Sequence, residues 1–363
     1  MTIELKEEII IPDDIVCPSR VLDIKFSPTN DIVAVGDMHG LIRLYNYGNI
    51  QEPNEMFNLK AHEDSTRDVC FNDSGNLLFS TSADGSITIT DLNNQKILAK
   101  NDKAHKHGIY SLDVKGNIFV TGDESGRIKV WDMRQQKCVV VFNEHHDYIS
   151  QLTICDNTIF AAGGDGCMST WNINSKKVIG ISDNMNEDLL SLSITKKDDT
   201  LVCGGQSGKL FVWEWDNWEY PKNALKGHPE SIESIIAVNK NTIITGSSDG
   251  IIRVVQINPH KLLGCVGQHD FPIERLALSR DKNILASSSH SRHIKFWDVG
   301  YLYNDQDDEE SDDSKSKTMV IEKPEADIVT PFQEEKVQNA YNKKKKTKGP
   351  QQRNETNPFY KDM

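Results

Sequence analysis

Short stretches in which hydrophobic and polar residues alternate recur along the chain. The alternation is clearest in RIKVWD, which ends at Asp132, and in HIKFWD, which ends at Asp298. A period of two residues is typical of a β-strand with one buried face. Each such stretch follows a short turn, and another apolar run precedes the turn. Two apolar runs around a glycine-containing turn predict a β-hairpin.

The turns recur at nearly constant intervals of 40 to 45 residues. Six of them end in glycine, and Arg292 stands at that place in the seventh: Gly40, Gly85, Gly126, Gly166, Gly208, Gly250. Two further apolar runs in each interval supply a third and a fourth strand. Four strands in a repeat of this length are typical of one blade of a β-propeller. The sequence therefore predicts an all-β, seven-bladed propeller in residues 1–300.

The repeat resembles the WD40 family over roughly residues 15–300. The similarity is strongest in the two WD-containing stretches and in KGH, which ends at His228. The family usually closes its ring by pairing an N-terminal strand into the last blade. The alternating segment TIELKEEII, residues 2–10, is the predicted closing strand. Closure would remove the open sheet edges of the first and last blades.

The resemblance implies structural roles for recurring histidines and tryptophans. In the family, a His, a Ser or Thr, an Asp and a Trp form a hydrogen-bonded network inside a blade. We expect incomplete networks here, since Ser125, Val255 and Ser291 replace one member each in blades three, six and seven. In blade six, Asp249 is expected beside His228. The predicted structural residues are His62, His105, His145, His228, His269, Trp131, Trp171, Trp213 and Trp297.

Composition argues against several classes of function. The chain has 54 acidic and 41 basic residues and a net charge of −13, which disfavours nucleic-acid binding by the molecule as a whole. No apolar run is long enough to span a membrane, and no secretory signal is evident. The seven cysteines lack a CxxC pair, and no catalytic motif is present. We therefore expect a non-enzymatic protein without a cofactor or metal.

The resemblance also implies that partners bind around the central channel on the top face. We expect this face to be basic and aromatic on the side of blades one to four and acidic on the other side. An ordinary solvated surface is the alternative. The positions carried over are Arg20, Leu22, Met38, Ser65, Arg67, Tyr110, Glu124, Tyr148, Ser150, Asp188, Leu190, Gln206, Glu233, Ser248, Glu274 and His290.

The tail, residues 301–363, contains an acidic block and then a lysine block. Its composition predicts disorder. The lysine block resembles a nuclear localisation signal and is a candidate RNA contact, as is the Arg20/Arg67 side of the ring. It comprises Lys343, Lys344, Lys345, Lys346 and Lys348.

Within the WD40 family the chain resembles the WD repeat-containing protein 55 branch, through its opening repeat and its acidic, then lysine-rich tail. The resemblance implies a monomeric scaffold in nucleolar rRNA processing and large-subunit biogenesis, with pre-ribosomal assembly factors as partners. One alternative is a substrate receptor of a cullin-4 ubiquitin ligase, since Trp131, Asp132 and Arg134 form a WDxR box. Arg134 would then contact the adaptor. A generic cytoplasmic adaptor is the other alternative.

Overall fold

The computed structural model describes residues 11–48, 53–196 and 200–304. They belong to one compact unit of the chain, Met1–Thr318, and a second unit comprises Met319–Met363. The predicted closing segment 2–10 and the tail from 305 onward, with its lysine block, lie outside the described residues. The closing strand at 2–10 and the roles of the tail therefore stay predictions.

Within the described ranges, 28 strands form seven four-stranded antiparallel sheets, which confirms the seven-bladed propeller. Blades 1 to 4 contain β2 (Val21–Phe26), β3 (Ile32–Asp37), β4 (Leu41–Asn46) and β5 (Asn54–Lys60); β6 (Thr66–Phe71), β7 (Leu77–Ser82), β8 (Ile87–Asp91) and β9 (Lys96–Asn101); β10 (Ile109–Lys115), β11 (Ile118–Asp123), β12 (Ile128–Asp132) and β13 (Lys137–Phe142); β14 (Ile149–Cys155), β15 (Thr158–Gly163), β16 (Met168–Asn172) and β17 (Lys177–Ile181).

Blades 5 to 7 continue the same order. They contain β18 (Leu189–Lys196), β19 (Thr200–Gly205), β20 (Lys209–Glu214) and β21 (Asn223–Lys226); β22 (Ile232–Ala237), β23 (Thr242–Ser247), β24 (Ile251–Gln256) and β25 (Lys261–Gln268); β26 (Ile273–Leu278), β27 (Ile284–Ser289), β28 (His293–Asp298) and β1 (Ile15–Val16). A short helix, α1 (Tyr301–Asn304), follows β28.

The hydrophobic core lies between neighbouring blades. Between blades 3 and 4, for example, Val130 and Ile149 are fully buried, and the ring of Phe142 stacks on Trp171 with centroids 5.5 Å apart. The second strand of each blade is covered on both faces, so most of its residues are hydrophobic or small, as in residues 118–122 of β11. The outer strands face solvent, and every residue of β9 is exposed. Packing of blade against blade therefore explains why alternation is clear only in some strands.

The predicted turn glycines have the backbone conformation that the turns require. Gly208 has a φ of +77°, and the other five have values from +76° to +80°. An added Cβ at Gly208 would lie 2.3 Å from the carbonyl oxygen of His228. Glycine is required there both by its positive φ and by the close approach of the backbone.

The ring closes between blade 7 and blade 1. In the described chain the closing strand is β1, in which Ile15 pairs with Ile294 and Val16 with His293. This strand occupies the outer position of blade 7, so the last sheet is built from both ends of the propeller sequence. Three ion pairs cross the same seam, at the top, in the channel and at the bottom: Arg20–Glu274 at 2.8 Å, Arg275–Asp23 at 3.5 Å and Arg280–Asp31 at 3.2 Å.

Candidate protein-interaction surface

We define the top face by the loops that enter the innermost strands and by the turns between the second and third strands of each blade. The structure joins these two loops within each blade by backbone hydrogen bonds. The amide of Met38 donates to the carbonyl of Arg20, and that of Gln206 donates to the carbonyl of Asp188. The predicted top-face positions therefore come together in pairs, one from each loop.

Four of the predicted residues form a continuous ladder across blades 2 to 5. The guanidinium carbon of Arg67 lies 4.8 Å from the ring centroid of Tyr110, and the rings of Tyr110 and Tyr148 are 6.0 Å apart. The hydroxyl of Tyr148 donates a 3.0 Å hydrogen bond to Asp188. Burial, and then this carboxylate, raise the pKa of Tyr148 well above its usual range. The ladder presents two aromatic rings between a cation and an anion.

Arg67 differs from the other arginines of the top face. Among the described residues no carboxylate lies within ion-pair distance of it, and its Nε is buried without a hydrogen-bond partner. An arginine fixed against an aromatic ring has a guanidinium plane already oriented for a bidentate partner. Arginine and tyrosine are also among the residue types that dominate binding energies at interfaces.

Arg20 is paired with a carboxylate of the acidic side, which corrects the prediction that it adds positive charge to the basic side. Its Nη2 lies 2.8 Å from Oε2 of Glu274, and the same oxygen lies 2.8 Å from Nε2 of His290. The two blades meet at this seam, so a glutamate of blade 7 neutralises an arginine of blade 1. Of the two predicted arginines, Arg67 is the one that has no carboxylate partner among the residues that the structure describes.

Three predicted contact residues lie beneath the top face rather than on it. Leu22, Ser65 and Ser150 are each at least nine-tenths buried. The hydroxyl oxygen of Ser150 lies within hydrogen-bond distance of the carbonyl oxygens of Ala162 and Leu189 and can donate to either, so it links blades 4 and 5. Periodicity alone could not separate these positions from their exposed neighbours, because exposure depends on the tilt of the adjacent blade.

The network of blade 3 is complete, which contradicts the prediction that Ser125 leaves it without an aspartate. Nδ1 of His105 lies 2.8 Å from Asp123, and Nε2 lies 2.8 Å from Oγ1 of Thr121, which also accepts a 2.9 Å hydrogen bond from Trp131. Burial alone would raise the pKa of Asp123, but hydrogen bonds from His105, a backbone amide and Ser125 lower it to about 2. An aspartate two residues earlier thus takes the predicted role.

Blade 6 corrects a second expected contact. Asp249 does not bind His228 but holds the guanidinium of Arg253 through contacts of 3.0 and 2.6 Å. Nε2 of His228 bonds to Thr245 at 2.8 Å, while its Nδ1 is buried and has no hydrogen-bond partner in the described part of the chain. The tryptophan position is Val255, so Arg253 is the side chain that reaches the aspartate.

The remaining recurring histidines are also buried and bonded within their own blades. The His62 ring contacts Ser80 and Ser86. The His145 ring contacts Asp165 and Ser169, and the His269 ring contacts Ser287. Trp297 donates to Ser287, whereas the indole N–H groups of Trp171 and Trp213 are buried and find no acceptor within the described ranges. These contacts fit a structural role, with a different set of partners in each blade.

Carboxylates of the innermost strands link successive blades around the channel. Each accepts a backbone N–H from the next blade: Asp23 from Val69 at 2.9 Å, Asp68 from Leu112 at 2.8 Å and Asp113 from Ile154 at 2.7 Å. Burial and the charge of Asp23 raise the pKa of Asp68 well above its usual value. The polar residue at the third position of β2 and β6 is the sequence signal for this lining.

The WDxR box lies on the bottom face, at the turn between β12 and β13. Asp132 binds Arg134 through both carboxylate oxygens, at 3.0 and 2.8 Å. The Arg134 side chain is still 66% exposed, whereas Trp131 and Asp132 are buried. The box therefore presents a single, fixed guanidinium to solvent.

Two other kinds of site are not found in the described ranges. No group of three or more His, Cys, Asp or Glu side chains there is placed to hold a metal ion. No helix among those residues is both long and apolar enough to cross a membrane.

Comparison with known proteins places this geometry in a family. The WDR55 family model matches residues 12–302, which is the whole propeller. The chain belongs to the WDR55 family. It is 39% identical to the WD repeat-containing protein 55 homolog of Dictyostelium discoideum, over 82% of this chain and 73% of that protein. It is 34% identical to the mouse protein, over 80% of this chain and 76% of that protein.

The WDR55 relationship extends to plants, and the fold extends to designed proteins. WD repeat-containing protein 55 of Arabidopsis thaliana is 33% identical over 77% of this chain and 81% of its own length. Among solved structures, the computationally designed Ika8 protein superimposes with a TM-score of 0.64 and 25% identity, covering 77% of this chain and 83% of that chain.

Proposed function

We propose that this WDR55-family protein is a non-enzymatic scaffold that binds a partner protein through the ladder of Arg67, Tyr110, Tyr148 and Asp188. The observation that carries the proposal is Arg67, a cation stacked on Tyr110 without a carboxylate among the described residues. A partner carboxylate could pair with the guanidinium of Arg67, while the rings of Tyr110 and Tyr148 supply apolar contact area for the partner. Loops on a rigid propeller suit such recognition, because the scaffold holds them in place.

The surface is tested by removing the cation and one ring together. The double variant Arg67→Ala/Tyr110→Ala should lose partners that the unmodified protein retains in affinity purification with mass spectrometry. Tyr220→Ala/Lys222→Ala is the matched control, because it removes the same types of side chain from the loop before β21. An unchanged partner set in the first variant would reject the surface, provided that both variants unfold at the temperature of the parent protein.

We further propose that the scaffold acts in nucleolar rRNA processing and large-subunit assembly, with pre-ribosomal factors as partners. The support is the resemblance to the WDR55 branch and the lysine block at 343–348. Depletion should cause unprocessed pre-rRNA to accumulate, as measured by hybridisation to precursor spacers. Normal precursor levels would reject this role.

Nuclear location is a separate part of the proposal. Deletion of residues 343–348 should move a fluorescent fusion of the full chain toward the cytoplasm, since the block supplies the basic residues that importers read. A fusion that stays nuclear would reject the localisation signal.

Docking onto a cullin-4 adaptor remains the second candidate, because Asp132 fixes an exposed Arg134 in one orientation. Arg134→Ala should then abolish co-purification with the adaptor while leaving the top-face partners bound. Failure of the unmodified protein to co-purify with the adaptor would exclude this function.

A further inference from the structure

A cavity on the bottom face lies between blades 3 and 4. Its volume is about 290 Å³, and the turns at the bottom of β10 to β12 and β14 to β16 line it. Ile118, Ile154 and Ile173 supply its apolar residues. Three amide side chains stand at its rim, and all are exposed: Asn117, Asn157 and Asn174.

The surroundings of the cavity are basic, although the chain as a whole is acidic. The bottom turns of blades 3 and 4 carry two acidic residues, Asp132 and Asp156, and Asp73 of blade 2 accepts a 3.1 Å hydrogen bond from the amide of Gly116. They carry five exposed basic residues: Lys115, Arg134, Lys137, Lys176 and Lys177. In the top loops of the same blades, the acidic residues outnumber the basic ones. Positive charge is therefore concentrated at one end of these two blades.

Two of the lysines occupy equivalent places in successive blades. Lys137 and Lys177 are the first residues of the outer strands β13 and β17, and Lys96 begins β9 in the preceding blade. The repeat thus sets three ammonium groups along an arc at the bottom rim. Arg134 lies in the same turn as Lys137 and lines the cavity, and its pairing with Asp132 fixes its direction.

We propose that the bottom face of blades 3 and 4 binds single-stranded RNA, with one base in the cavity and the backbone along the arc. Lysine and arginine are the side chains that hold phosphates. Asparagine offers both a donor and an acceptor to a base edge, and an apolar wall accommodates the flat base. An unpaired base is needed, because a base inside a duplex cannot enter a cavity.

This site goes beyond the proposed scaffold, because it lies on the face opposite the ladder. It also differs from the RNA contacts expected in the tail or beside Arg20. If top-face partner capture fails while RNA binds here, only the scaffold is rejected. If RNA fails to bind while the partners remain, only the present inference is rejected.

The test is fluorescence anisotropy of a mixed-sequence 12-nucleotide RNA with the full chain. Five phosphate contacts predict a slope of about −3.5 for log affinity against log salt, or roughly a hundredfold loss between 50 and 200 mM. Lys137→Glu/Lys177→Glu should weaken binding at least about tenfold and reduce the slope by roughly 1.4. Lys103→Glu/Lys106→Glu, with the same charge change on the exposed top of blade 3, is the control and should bind almost as tightly as the parent.

Cross-linking supplies a second measurement that does not depend on charge. RNA that contains 4-thiouridine should cross-link to peptides with residues 115–118, 154–157 and 173–174, and Asn117→Ala/Asn157→Ala should reduce the yield. Equal weakening by both charge variants, or cross-links confined to the tail, would overturn the proposal. The proposal would also be overturned if the protein bound no RNA and instead bound the adaptor in a way that depends on Arg134, because the bottom face would then be a protein docking site.

Discussion

Replacing Asp123 with alanine gives the sharpest test of how the blades are held together. Its carboxylate is fully buried and accepts hydrogen bonds from the His105 ring, the amide and hydroxyl of Ser125 and the amide of Arg127. The family pattern puts this aspartate at position 125, whereas the structure puts it at 123. The two positions therefore make different predictions for stability.

The expected loss of unfolding free energy in Asp123→Ala follows from the buried hydrogen-bond donors that are left without an acceptor. Removing one partner of a buried charged contact costs about 3–5 kcal/mol, because the remaining donors lose their acceptor without regaining water. Ser125→Ala removes one hydroxyl at 2.8 Å and should cost about 1 kcal/mol or less. For a protein of this size, the first change should lower the melting temperature by roughly 10 °C and the second by about 2 °C.

The pH dependence of stability separates the contribution of the Asp123 charge from the contribution of its packing. The pKa of Asp123 is lowered from 3.8 to about 2 by its hydrogen bonds, which outweigh burial. The carboxylate therefore stabilises the fold above pH 4 by roughly 2 kcal/mol, and this part is lost as the pH falls toward 2. The difference in unfolding free energy between the parent and Asp123→Ala should narrow below pH 4, where the carboxylate of the parent becomes protonated.

Urea unfolding followed by tryptophan fluorescence measures both variants against the parent. If Ser125→Ala costs as much as Asp123→Ala, or if Asp123→Ala costs less than about 1 kcal/mol, the assignment of the network is refuted. A stability difference that stays constant down to pH 3 would refute its electrostatic part.

Three further predictions concern the turns, the seam and the histidines. Gly208→Ala should destabilise by more than about 2 kcal/mol, since its φ is positive and its Cβ would meet a carbonyl oxygen, whereas Gly116→Ala, with open space, should cost about 1 kcal/mol in the same unfolding assay. Arg280→Ala removes an exposed ion pair with Asp31 and a hydrogen bond to the carbonyl of Thr29, so it should cost no more than about 1 kcal/mol. The cost should shrink in 1 M salt, because salt screens the ion pair, and a cost that salt leaves unchanged would contradict this. Burial lowers the pKa of three histidines, His62, His228 and His269, to about 4. Because their neutral forms favour the folded state, the free energy of unfolding should be highest above pH 6.5 and should fall as the pH drops toward 4. A urea midpoint that stays constant from pH 7 to 4.5 would disprove this prediction.

The hydrogen-bonded network of blade 3 shows what a sequence pattern could and could not predict. The order of the histidines and tryptophans follows from the repeat, and it places His105 and Trp131 in one blade. Their acidic partner could not be chosen from spacing alone, because Asp123 and position 125 flank the same tight turn. The doublet Gly-Asp, which precedes the turn in both blade 1 and blade 3, was the available signal.

The candidate surfaces also combine features that the sequence predicted with features that depend on the packing of neighbouring blades. Arg67 and Tyr110 were predicted as top-face residues, but their stacking and the ion pair that removes Arg20 from the basic side depend on neighbouring blades. The cavity beside Arg134 is formed by turns from two blades, about 40 residues apart in the chain. No motif within one repeat signals it.

The sequence by itself determined the strands, the turns and the number of blades. Each of these follows from local rules: alternation with a period of two, glycine where φ is positive, and a repeat of constant length. The tertiary structure decided which carboxylate meets which histidine, which top-face residues are buried, and where a cavity opens. Those features depend on the distance and tilt between sheets, which are set by packing of whole blades rather than by any one segment.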